Sequence, residues 1–335
     1  MSLYAPAPEP ATKLGYHRQL SPLAGVHVSP ICLGAMSIGD KWHEIGLGAM
    51  DKEQSFKLLD AFYDAGGNFI DTANGYQDET SEEFIGEWME KRGIRDQLVI
   101  ATKCLVTSGK VLYLGISDTP AWVVAKANTY ARLTGKAPFV VYQGSWSILS
   151  RDFERDIIPM ARSEGLALAP WNVLGGGKIR TDAEEQRRRR PTMDGWERNA
   201  DEKKVCQALE KVAAEIGAKS ITAVAIAYVM QKVPYVFPII GGRKVEHFHS
   251  NLEALEIALS PEQISFLEGV LPFNPGFPAN MIVSKFIEVP SSTLSLTSIF
   301  LMQGDGQTYM PFQLSAGHFV KWPAAQAIRP SLSSQ

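Results

Sequence analysis

Three side chains in the first third of the sequence could together make a proton donor. Asp71 and Tyr76 lie in the stretch from Gly67 to Tyr76, and Lys103 closes Ala101, Thr102, Lys103; each of the three comes just after a short apolar run. A phenol with a reference pKa of about 10 is a poor acid at neutral pH. An adjacent ammonium favours the phenolate, and a carboxylate can hold that ammonium in place. Tyr76 is therefore the candidate general acid, with Asp71 and Lys103 supplying the carboxylate and the amine.

Such groups must be gathered by neighbouring strand ends, and the flanking pattern predicts them. Residues 14–30 predict a cap hairpin turning near Pro22 to Gly25, followed by an apolar strand from Ile31 to Met36. Asp51 with Gln54 reads as a variant capping box for a first helix whose Phe56, Leu59 and Tyr63 share a face, stopped by Gly66 and Gly67. A strand from Phe69 to Thr72 follows. Thr80 with Glu83 predicts a second capping box, Phe84, Ile85, Trp88 and Met89 a buried stripe, and Leu98 to Thr102 a third strand. Strand and helix alternate as a parallel barrel requires.

The alternation then breaks. Only Cys104 to Lys110 separates Lys103 from the next apolar run, Val111 to Ile116, whereas a parallel crossover needs about a dozen residues or more. It resumes with Thr119 and Pro120 as N-cap and first helical residue, then strands at Phe139 to Gln143, Leu166 to Trp171 and Tyr235 to Ile240. Helices are predicted around Asp152 to Glu164, through Val205, Leu209, Val212 and Ile216, from Ile221 to Met230, from Val245 to Ala258, and from Ser260. Asp182 to Arg190, including the arginine run from Arg187, reads as a solvated charged insert.

Two glycine-rich stretches suit phosphates. Gly175, Gly176 and Gly177 allow close backbone approach to a pyrophosphate. Gly241, Gly242, Arg243 and Lys244 precede a helix, where free N–H groups and a guanidinium suit a phosphate.

Phe69 to Tyr76, Thr80 to Trp88, Leu98 to Lys103, Gly109 to Trp122, Pro138 to Asn172 and Gly241 to Leu255 resemble the aldo-keto reductase superfamily, in its fungal branch of aryl-alcohol dehydrogenases and norsolorinic-acid-reductase-like enzymes. The resemblance implies an α/β fold, a TIM-type (β/α)8 barrel, here incomplete with about seven strands because the third helix, fourth strand and most of the fourth helix are missing at 103/104. It divides the chain into a loose N-terminus (1–13), the barrel (14–283) and a C-terminal tail or loop over the barrel mouth (284–335). Asp71, Tyr76 and Lys103 match the family's acid, proton donor and pKa-lowering lysine. Its carbonyl-orienting histidine has no counterpart among His17, His27, His43, His247, His249 and His318. The cofactor NADPH would be held by Asp71, Ser117, Asp118 and Gln143 near the nicotinamide, Trp171 against its face, Gly175 and Gly177 at the pyrophosphate, Gly241, Arg243 and Lys244 at the 2′-phosphate and Asn251 at adenine. Many family members carry Asn where this chain has Asp118.

The bulk properties fit that picture. A chain of 335 residues, 45% hydrophobic, can bury one large core. A net charge of −3 and a pI of about 6.1 give no general attraction to nucleic acid or anionic membrane. Cys32, Cys104 and Cys206 are too scattered for a disulfide framework or a metal site. Pro6, Pro8 and Pro10 occupy the place of a signal peptide's apolar region, and no run of about 18 apolar residues occurs, so a cytoplasmic location is expected. The expected activity is NADPH-dependent reduction of an aldehyde or ketone, aryl or polyketide-like, in fungal secondary metabolism. The alternative is a chain that binds NADPH without reducing anything, or has no function.

Overall fold

Short β-rich runs alternating with amphipathic segments build a barrel of parallel strands with helices outside. The computed structural model describes residues 9–43, 50–102, 111–187 and 197–276. The predicted hairpin is present as β1 (Arg18–Ser21) paired antiparallel with β2 (Ala24–Val28). Its Leu20, Ala24 and Val28 cluster with Cys32, Phe69, Val140, Ala167 and Phe237 and close the lower end of the barrel.

The barrel strands are β3 (Cys32–Gly34), β4 (Phe69–Asp71), β5 (Val99–Ala101), β6 (Leu114–Ser117), β7 (Phe139–Ser145), β8 (Ala167–Trp171) and β9 (Ile239–Gly241). They form two parallel sheets, ordered β5-β4-β3-β9 and β6-β7-β8. The sheets meet where Leu168 pairs with Val236 ahead of β9; the Leu168 N–H donates to the Tyr235 carbonyl and the Phe237 N–H to the Leu168 carbonyl, both at 2.8 Å. Strand order is thus chain order around the barrel, with one interruption. Among the described residues no ladder joins β5 to β6, which is the place of the predicted gap.

Outside lie α1 (Lys52–Asp64), α2 (Thr80–Arg92), α3 (Ala121–Leu133), α4 (Ile157–Glu164), α5 (Asp182–Arg187), α6 (Ala200–Ile216), α7 (Ile221–Lys232), α8 (Val245–Leu252) and α9 (Pro261–Gly269). Along the open seam runs a cavity of about 660 Å³, lined by Ile100 and Ala101 of β5, Leu114 and Ile116 of β6, and Ile85 and Met89 of α2. Helix α7 is buried on nearly every side, as its all-round apolar sequence predicts.

Several expectations need correction. Asp51 does cap α1, accepting from the Gln54 N–H at 2.8 Å, but the fully buried face is Ser55, Leu58, Leu59 and Phe62, with Phe56 and Tyr63 at its margin. The Thr80 and Glu83 box does not form. Gln77, Asp78 and Glu79 all take positive φ (53, 50 and 75°), so Glu79 becomes the N-cap without a side-chain bond and the Thr80 hydroxyl turns back to the Gln77 carbonyl at 2.8 Å. Pro120, rather than Thr119, caps α3, because Thr119 is held by Tyr142: its N–H donates to the phenol oxygen at 3.1 Å and its carbonyl accepts from it at 2.7 Å. The sixth strand begins at Leu114, since Val111, Leu112 and Tyr113 have no neighbouring strand among the described residues and are exposed. The helix expected to reach Ala258 splits into α8 and a 3-10 turn, Glu253–Leu255. The charged insert is not merely solvated: Glu185 holds two buried arginines, Arg180 at 3.1 Å and Arg198 at 2.8 Å. Arg188 to Arg190 lie outside the described residues.

Candidate functional site

Parallel barrel strands all end on one rim, where side chains from separate strands converge. Here Gly34 stands opposite Asp71 on one side and Gly241 on the other, Ser117 opposite Gln143, and Ser145 opposite Trp171.

Asp71 is 4% exposed, and a buried carboxylate requires donors. Gln143 supplies one, its Nε2 donating to Asp71 Oδ1 at 2.7 Å. The bond runs from β7 to β4 and so ties the two sheets together across the barrel interior. The end of β4 is fixed to α2 as well: Thr72 and Ser81 share a hydroxyl bond of 3.1 Å, and the Ser81 hydroxyl donates to the Ala35 carbonyl at 3.0 Å. Cys32 is fully buried, and burial, then the Asp71 charge, push its thiol well up; it is packing, not a nucleophile.

Tyr76 is half-buried in the loop between β4 and α2, its N–H donating to the Ala73 carbonyl at 3.0 Å. The residue after it is one that sequence reasoning missed. Gln77 is fully buried; its Oε1 accepts from the N–H groups of Lys41 (3.0 Å) and Trp42 (2.9 Å), and its Nε2 donates to the Met36 carbonyl (3.1 Å). This clamps the segment after β3 against the Tyr76 loop and sets Trp42 edge-on to the Tyr76 ring, centroids 6.3 Å apart at 76°. Gly39 makes the approach possible, with φ 120° and a hypothetical Cβ only 2.5 Å from that of Gln77. The one available signal was Gly39 itself, a glycine with no turn partner in sequence.

Lys103 lies outside the described residues, so Asp71 and Tyr76 are the members of the trio that the structure places. Among the described residues no histidine stands at the upper end of a barrel strand; His17, for instance, bonds the Gly66 carbonyl at 2.8 Å. No three of His, Cys, Asp and Glu converge as a metal site among them either.

Ser117 ends β6 and Asp118 follows in the left-handed region at φ 49°, its N–H donating to the Gln143 carbonyl at 3.0 Å. Trp171 ends β8 with 39% of its surface exposed, which removes a core role, and its Nε1 donates to Asp118 Oδ1 at 3.3 Å. Gly175 and Gly177 lie in a 3-10 turn with φ 59° and 87°; a side chain at Gly175 would strike Leu149, while none within 4 Å would meet one at Gly177. Gly241 closes β9 and leads through Gly242 to Arg243 and Lys244. Both basic side chains are exposed without ion-pair partners among the described residues, and α8 starts behind them with no side-chain cap. That is an anion-binding arrangement. Asn251 sits inside α8, 6% exposed, its Oδ1 accepting from the Thr222 hydroxyl at 3.3 Å.

Comparison with known proteins bears on the same chain. It matches the aldo/keto reductase family over residues 30–107 and 105–272, two pieces that meet between β5 and β6. It is 55% identical over 404 residues to an NADP(+) aryl-alcohol dehydrogenase of Phanerodontia chrysosporium, covering 98% of this chain and 100% of that protein. It is 44% identical over 341 residues to norsolorinic acid reductase A of Aspergillus parasiticus, covering 82% and 86%. It is 40% identical over 385 residues to norsolorinic acid reductase B of Dothistroma septosporum, covering 96% and 95%. The first alignment is longer than the 335 residues of this chain, so part of that relative faces no residue here.

Proposed function

This chain belongs to the aldo/keto reductase family, and from that premise we propose that it reduces an aryl or polyketide-like aldehyde or ketone with NADPH, in the cytoplasm, as a step of fungal secondary metabolism. The rim suits the cofactor at both ends. Ser117, Asp118 and Gln143 offer acceptors and donors for a carboxamide, and exposed Trp171 offers a ring face. Arg243 and Lys244, uncompensated at the start of α8, suit a 2′-phosphate, which favours NADPH over NADH. Bound NADPH supplies the hydride that reaches the carbonyl carbon. Tyr76 gives its proton to the carbonyl oxygen, Lys103 and Asp71 set its acidity, and Trp42 beside it forms an apolar wall suited to an aryl group. Among the described residues no single helix is long and apolar enough to cross a membrane.

The observation that carries this reading is the Gln143 to Asp71 bond, which joins the proposed carboxamide holder to the proposed acid network at one rim. The test is turnover of an aryl aldehyde with NADPH, compared with Tyr76→Phe. A loss of about 10² to 10⁴ in kcat with NADPH affinity retained is expected. Full turnover by Tyr76→Phe overturns the assignment of the acid.

A second reading, an NADPH-binding chain without reductase activity, is favoured by the unclosed seam between β5 and β6 and by the lack of a histidine at a strand end among the described residues. Inserting the corresponding segment of a relative between Lys103 and Cys104 separates the two. Activity appearing only after insertion supports the second.

A further inference from the structure

We infer that Asp118 sets the redox preference of the cofactor site, making it hold the oxidised nicotinamide more tightly relative to the reduced one than an asparagine there would. The inference rests on the NADPH reading above and concerns which form of that cofactor the rim favours. The oxidised nicotinamide ring carries a positive charge and the reduced ring carries none. A carboxylate among the groups that meet the ring end therefore discriminates between the two forms by charge, which an amide of the same shape does not.

Three features suit Asp118 to this. First, its backbone is held in place: the N–H donates to the Gln143 carbonyl at 3.0 Å, and the next residue is bonded twice to Tyr142. The φ of 49° is one that Asn and Asp adopt more readily than other residues with side chains. Second, its charge is not cancelled, since it forms no ion pair among the described residues. Its field reaches the neighbouring phenol of Tyr142, which is pushed up by burial first and by the Asp118 charge as a smaller contribution. Third, Oδ1 accepts from Trp171 Nε1 at 3.3 Å. That bond orients the exposed indole and adds electron density to a ring whose face already attracts cations. The carboxylate and the indole thus act in the same direction.

The consequence is a lowered reduction potential of the bound cofactor, so a tendency to give hydride away rather than accept it. The remaining contacts of the cofactor, phosphates and adenine included, are the same in both forms and cancel in the ratio of affinities.

The test is calorimetric titration of the full chain with NADP(+) and, separately, NADPH, repeated for Asp118→Asn and Asp118→Gly, both of which tolerate the left-handed backbone. The wild-type ratio of the NADPH to the NADP(+) dissociation constant should fall about three- to tenfold in each variant, the effect of one partly solvated charge. Two variants that bind both forms with the wild-type ratio overturn the inference and leave the cofactor reading intact. A folded wild type that binds neither form overturns both.

Discussion

Asp71 carries a buried carboxylate at the rim, and one of its donors reaches it from across the barrel. Replacing its donor, Gln143→Leu, removes the 2.7 Å bond and should cost about 1–3 kcal/mol in urea denaturation. Equal stability would show that other donors suffice. Gln77→Ala releases the clamp between the Tyr76 loop and the segment carrying Trp42, so kcat/KM for an aryl aldehyde should fall while NADPH affinity stays unchanged. A parallel loss of NADPH affinity would place the effect in the fold instead of the acid. Asp71 and Tyr76 were legible in the sequence because they follow an apolar strand at a recognisable spacing. Gln77 was not, because a buried amide that serves backbone groups leaves no periodic trace. Asp118 was legible as a position, whereas its bond to Trp171 depends on two strands that are distant in sequence.

At the scale of elements, local signals succeeded where the chain's own chemistry decided the outcome. Asp51 and Ser260, expected at helix starts, cap α1 and α9 with side-chain bonds. Elsewhere contacts beyond the local sequence prevailed. Tyr142 displaced the cap at Thr119, and the left-handed run at Gln77, Asp78 and Glu79 displaced the one at Thr80. Around α5 the solvated reading holds for Asp182, Glu184 and Arg187, which are exposed, whereas Glu185 reaches two buried arginines that flank the insert, Arg180 and Arg198. Burial would raise the Glu185 carboxyl, but hydrogen bonds from the Arg198 backbone and guanidinium and from Arg180 bring it down to about 2. A carboxyl depressed in the folded state contributes stability that is complete above its unfolded value, near 4.3, and is lost as the pH falls toward 2. Denaturation midpoints should therefore drop across that window, and Glu185→Gln should flatten the drop while destabilising the protein by about 1–3 kcal/mol at neutral pH, because Arg180 and Arg198 each lose a charged partner while Arg198 keeps Asp182. An unchanged pH slope in the variant would assign the acid sensitivity elsewhere.

For the whole molecule, the deciding feature is the seam. β5 and β6 each present a strand edge without a ladder partner among the described residues, and Leu112, Trp122 and Leu133 expose large apolar surfaces on the same half of the chain. Unpaired edges and exposed apolar side chains promote association, so light scattering should report species larger than one chain that grow with concentration. A monodisperse monomer with one cooperative melt would mean the seam is closed in solution. The break was legible in the sequence because Cys104 to Lys110 is too short for a covered crossover, and the circular order of the remaining strands followed from their alternation with helices. How a barrel with no ladder between β5 and β6 among the described residues still aligns its rim was not legible, since the Gln143 to Asp71 bond joins residues from different sheets. Cofactor binding at this rim is decided by titration of the chain with NADPH and with NADH, read by tryptophan fluorescence, beside Arg243→Ala. Saturable NADPH binding, weakened about tenfold in the variant while NADH binding stays the same, is the predicted result. A folded sample that gives no saturable signal with NADPH would contradict it.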